Sequence, residues 1–143
     1  ASKKELLTEL YGEVVEEEIA FVRGFFGEKS HKAWEERLHS YMIEHKNRYL
    51  TRPGMHLMFV FSFTTPLEVR DFVLAEYRRY LAVLKNELTS LFAKANVGNL
   101  TPEESRVACL KMLVGRDIQL AYETRQAYTP TLANEWKDFL TGI

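Results

Sequence analysis

Apolar residues in this 143-residue chain recur three and four positions apart, and no run alternates strictly as a half-buried strand must. That periodicity confines the chain to helices, each burying one stripe, and stop signals cut the pattern into six. Ser2-Lys3-Lys4-Glu5-Leu6-Leu7 sets a capping serine three residues before a glutamate, so a helix leaves from Ser2 and runs to about Phe26, where Gly27 ends it. Its stripe is Val14, Val15, Ile19, Val22, Phe25 and Phe26, with Glu16-Glu17-Glu18 read as solvated turns. A second helix spans about His31 to Leu50, before the break Arg52-Pro53-Gly54. A third, short and apolar nearly all round, covers about Met55 to Ser62. The longest helix follows Pro66 and reaches about Ala95, with Val69, Val73, Tyr77, Tyr80, Leu84, Leu88 and Leu91 on one side and Gly98 suited to a left-handed C-cap. Thr101-Pro102-Glu103-Glu104 is the strongest start signal and opens a helix to about Arg125. A short terminal helix, about Thr131 to Leu140, closes the chain.

Composition then excludes several classes. One domain of this length buries a proper core, and 46% apolar with 27% charged residues is ordinary for a globular protein. A net charge of −1 and a pI near 6.5 provide no basic field for nucleic acid. A single cysteine, Cys109, excludes an internal disulfide and suits a reducing cytosol. No stretch approaches the roughly twenty apolar residues that cross a bilayer, and the N-terminus lacks the apolar core of a signal peptide. The expectation is a single cytoplasmic domain spanning residues 1–143, without membrane contact and without a cofactor.

The opening Ser2-Lys3-Lys4-Glu5-Leu6 segment resembles the junction at which tetracycline-repressor-type (TetR family) regulators pass from DNA-recognition helix to effector-binding domain. The order and length of the helices are similar too, as are Leu67-Glu-Val-Arg-Asp-Phe with Tyr77-Arg-Arg-Tyr80 and the apolar-Gly-apolar run Leu113-Val114-Gly115-Arg116-Asp117-Ile118. The resemblance implies an all-α six-helix bundle whose last two helices pair with a second copy as a four-helix interface. It places Gly115, Ile118, Ala121, Trp136, Phe139 and Leu140 at that homodimer seam. It also implies that a helix-turn-helix head precedes Ser2, and that operator DNA is met only through that head. The function implied is ligand-responsive transcriptional regulation, most often repression, by a domain that is not itself an enzyme.

The family's middle helices enclose a chamber for a small apolar or aromatic effector. Trp34, Tyr41, Met42 and His45 on the second helix would line it with Met58, Phe59 and Phe63 on the third. Tyr77 and Tyr80 on the long helix and Met112 on the fifth complete the lining. Each residue alone suits a packed core equally well, but the polar tips of Tyr41, His45, Tyr77 and Tyr80 need partners once buried. Arg116 and Asp117 interrupt an apolar helix, so Arg116 is either a receiver for a ligand carboxylate or hydroxyl, or half of a salt bridge.

Rival readings remain open. Glu36-x-x-His39 and Glu28-x-x-His31 have the spacing of di-iron carboxylate bundles, which makes a free-standing helical enzyme or metal-carboxylate protein the alternative. An adaptor without a chamber is the third. Cys109 among Val107, Ala108 and Leu110 reads as core, and no phosphate loop, nucleophile elbow or His-Glu-x-x-His occurs. Arg70, Arg78, Arg79 and Lys85 interleave with Asp71, Glu76 and Glu87, which points to pairing along the helix instead of nucleic acid.

Overall fold

The structure, a computed structural model, describes residues 2–52, 54–55 and 67–125, with 122–125 by backbone alone. Four α-helices make up nearly all of it: α1 (Lys3–Gly27), α2 (Trp34–Thr51), α3 (Arg70–Phe92) and α4 (Pro102–Arg125). A single 3-10 turn, Leu67–Val69, leads into α3. Most of the third helix expected from sequence, with Met58, Phe59 and Phe63, lies outside the described residues. So does the terminal one, with Trp136, Phe139 and Leu140.

The start signals act as the sequence implies. Ser2 Oγ accepts the Glu5 N–H at 3.1 Å and so caps α1. Thr101 and Glu104 form a reciprocal box: Glu104 N–H donates to Thr101 Oγ1 at 3.1 Å, and Thr101 N–H donates to Glu104 Oε1 at 3.0 Å. The Thr101 N–H, followed by the Thr101 hydroxyl, holds the Glu104 carboxyl below its usual range. α2 has no side-chain cap at Ala33 and begins three residues later than the periodicity suggests. Glu35 and Glu36 in its first turn face the positive end of the helix dipole instead.

Two boundaries differ from expectation. α3 ends at Phe92 instead of Ala95, and Gly98 is no helix cap. With φ +55 it serves the turn in which Leu100 N–H donates to Val97 O at 3.0 Å, a backbone region that L side chains avoid. At the other end of the bundle, Gly54 lies so near α1 that an added Cβ would stand 2.9 Å from Val14 Cγ2.

α3 packs against both α1 and α4 and is the spine of the bundle. Of its expected stripe, Val69, Val73, Tyr77, Tyr80, Leu84 and Leu88 are buried and face Val15, Ile19 and Val22 of α1 together with Leu113, Val114 and Ile118 of α4 in one core. Leu91 is only half-buried, and Phe92 is buried beside it. Full burial contributes about 1.5–3 kcal/mol per large aliphatic side chain. α2 adds Tyr41 and Tyr49, also buried. The first turns of α1 behave differently, because Leu6 and Leu10 remain 51% and 41% exposed. No helix among the described residues is long and apolar enough to cross a membrane.

Candidate functional site, a buried polar centre

The middle of the bundle is polar. Glu18 of α1, His45 and Arg48 of α2, and Asp117 of α4 meet there, with Glu18, His45 and Asp117 at most 3% exposed. Helical spacing accounts for each. Glu18 falls on the line Tyr11, Val15, Glu18, Val22, and all four are buried. Tyr41, His45 and Tyr49 repeat every fourth residue on α2, and Asp117 sits four beyond Leu113 and four before Ala121 on α4.

Arg48 grips one oxygen of Glu18, donating from Nε at 3.1 Å and from a terminal nitrogen at 2.8 Å. Its guanidinium also lies 4.2 Å from the centroid of the Phe21 ring, a cation–π contact. His45 bridges two carboxylates: Nε2 is 2.5 Å from Asp117 Oδ1, and Nδ1 is 3.5 Å from Glu18 Oε1. Burial would push the imidazolium down, but the charge and hydrogen bond of Asp117, followed by Glu18, outweigh it and raise the pKa from 6.5 to about 10. His45 is therefore a cation at neutral pH. Burial raises the Asp117 carboxyl, opposed by the His45 charge and hydrogen bond.

Phenols surround these charges. Tyr77 OH points at Asp117 Oδ2 at 3.5 Å, and the hydroxyls of Tyr41 and Tyr80 face one another at 3.5 Å. Tyr49 OH donates to the Leu120 carbonyl at 2.9 Å. Desolvation, with nearby negative charge, holds Tyr41, Tyr77 and Tyr80 well above the usual phenol range, so all three stay protonated donors. The Tyr41 ring stacks between Phe21 and His45, at centroid distances of 6.1 and 5.7 Å.

Tyr41, His45, Tyr77 and Tyr80 thus come together, and each has a polar neighbour within the chain. Of the other expected lining residues, Trp34, Met42, Met112 and Arg116 do not join them, and Met58, Phe59 and Phe63 lie outside the described residues. Trp34 is half-buried against Phe92, at 5.4 Å between centroids. It stands about 16 Å along α2 from His45 at 1.5 Å per residue. Met42 is half-buried beside the core. Met112 is 46% exposed and Arg116 is exposed, because they lie four apart on the side of α4 opposite Leu113, Val114 and Asp117. Of the ionic pair singled out in sequence, the acid is the buried member and the base faces water.

The seam residues are placed just as unevenly. Ile118 and Ala121 are buried within the single chain, while Gly115 is half-buried with nothing within 4 Å of an added Cβ. Glu28, His31, Glu36 and His39, the di-iron spacing, are all exposed. Among the described residues no group of three or more His, Cys, Asp or Glu is arranged to hold a metal. Cys109 is buried, and burial pushes its thiol up to about 11.

Sequence reasoning missed Glu18 and Arg48. It also missed an open groove of about 590 Å³ between α1 and α3, lined by Gly12, Glu13, Glu16, Glu17, Phe72, Glu76 and Arg79. Arg79 there pairs with Glu16 at 2.6 Å and Glu76 at 2.8 Å. No protein-family model, no curated protein and no solved structure matches this chain.

Proposed function

We propose that this chain is the small-molecule-sensing and dimerisation domain of a TetR-type transcriptional regulator, a repressor in the family's commonest form. One observation supports it beyond the sequence resemblance: hydrogen-bonding groups from all four described helices converge in the buried centre of the bundle. Helices that only needed to pack together would be as stable or more so with apolar residues there. Polar groups at this depth suit recognition of a compound that enters the bundle.

The mechanism that follows is a population shift. An effector at the centre touches Tyr41 and His45 of α2, Tyr77 and Tyr80 of α3, and the part of α1 that carries Glu18. If it prefers one placement of α1, it changes the population of that placement by its differential affinity. Ser2 to Leu10 then transmits the shift to a DNA-reading head joined to α1, and paired domains hold two such heads at operator spacing. The terminal pair of helices, including Trp136, Phe139 and Leu140, supplies the dimer contacts in this reading.

Thermal denaturation against a library of small aromatic and apolar compounds, combined with analytical ultracentrifugation, tests both halves. The expected result is a dimer, with saturable stabilisation by a compound whose effect Tyr41→Ala or Tyr77→Ala removes. A monomer at all accessible concentrations contradicts the dimerisation half, and stabilisation that ignores both tyrosines contradicts the sensing half.

A further inference from the structure

The fixed charges of the buried centre cancel. Glu18 is matched by Arg48 at 2.8 Å and Asp117 by His45 at 2.5 Å, two anions against two cations. Both ring nitrogens of His45 face carboxylate oxygens, so both carry protons. An ionic ligand would bring an uncompensated charge into a site shielded from solvent, which strongly disfavours it. The phenols have capacity to spare. Among the described residues the two hydroxyls bond to each other, which uses one proton and one lone pair and leaves the second proton and further lone pairs of Tyr41 and Tyr80 available. Their separation, 3.5 Å, is at the outer limit of a hydrogen bond.

Resting on the sensor reading above, we infer that the effector presents a neutral hydroxyl or carbonyl oxygen on a small apolar body, and that the Tyr41–Tyr80 pair is the group that receives it. The oxygen accepts the available phenol proton and, if it is a hydroxyl, donates to the other phenol oxygen. The body lies against the Tyr41 side of the centre, where Phe21 and Phe25 pack on the Tyr41 ring at 6.1 and 5.5 Å and are themselves only partly buried.

Calorimetric titration of the full chain with four naphthalene probes tests this: 1-naphthol, its oxygen-free isostere 1-fluoronaphthalene, 1-naphthoate and 1-naphthylmethylammonium. The expected order places 1-naphthol at least tenfold tighter than each of the others. The Tyr41→Phe/Tyr80→Phe double variant should bring 1-naphthol and 1-fluoronaphthalene within twofold of each other, a ratio that general loosening of the core does not produce. Tighter binding of either ion, or an undiminished naphthol advantage in the double variant, overturns the head-group assignment and leaves the sensor reading standing. No saturable binding by any of the four overturns the assignment too, and the sensor reading is then decided by the compound library alone.

Discussion

The molecule carries two ion clusters of similar geometry in opposite surroundings. In the bundle centre Arg48 meets Glu18 at 2.8 Å, with side chains 12% and 0% exposed. On the α1–α3 surface Arg79 meets Glu16 at 2.6 Å and Glu76 at 2.8 Å, with side chains 42%, 64% and 20% exposed. Distance therefore does not distinguish them. The surrounding medium does: water screens the outer cluster and replaces any partner that is lost, whereas the burial of Glu18 and Asp117 keeps solvent from replacing theirs. Close ion pairs on a helical protein thus say little about stability until their exposure is known. The buried set is conspicuous because apolar residues would serve packing as well.

Substitutions on the two sides should therefore differ in cost. The largest effect is expected from Asp117→Asn, which leaves the His45 cation facing a neutral amide. Urea denaturation should show a loss of about 3–5 kcal/mol, the range for breaking one partner of a buried pair. Replacing Glu18, Arg48, His45 and Asp117 together by apolar residues of similar volume should be neutral or even stabilising by about 1–4 kcal/mol. The same replacement should abolish effector binding. A large loss from the fourfold variant would mean that the cluster is there for stability.

Next comes pH. The His45 pKa is raised on folding from 6.5 to about 10, so its contribution is complete below pH 6.5. It shrinks as pH rises and is gone above about pH 10. Urea midpoints measured between pH 6 and 10 should fall in the wild type and fall less in His45→Gln. Equal slopes would contradict a buried imidazolium.

The exposed side gives the smaller effects. Thr101→Ala removes a helix cap and should cost about 1 kcal/mol even though the site is exposed, because it takes away the hydroxyl that accepts the Glu104 N–H. Arg79→Ala should cost under about 1 kcal/mol, and less still in high salt. A loss from Arg79→Ala approaching that from Asp117→Asn would overthrow the comparison.

Much of this architecture was legible in the sequence. The α3 stripe, both capping motifs and the buried state of Cys109 follow from spacing and side-chain chemistry. Glu18 was misread because it closes a run of three glutamates, two of which are exposed. The signal was present: three and seven residues back stand Val15 and Tyr11, on the same helical face. Arg116 and Asp117 stand out in sequence as an ionic pair in an apolar helix, but the spacing does not show that Asp117 is the buried member and Arg116 the exposed one. One residue rotates a side chain by about 100°, and the apolar pattern of α4 is too even to show which of two neighbours points inward. Partnership across 30 residues, as between Glu18 and Arg48, leaves no local trace at all.

A sensor domain of this kind must bind its small molecule at the bundle centre. The most direct test is an NMR titration of the chain with a stabilising compound, following the tyrosine ring signals and the His45 imidazole. Saturable shifts at Tyr41, Tyr77, Tyr80 and His45 are predicted. A compound that binds while moving only Gly12, Phe72 and their neighbours in the α1–α3 groove would contradict it.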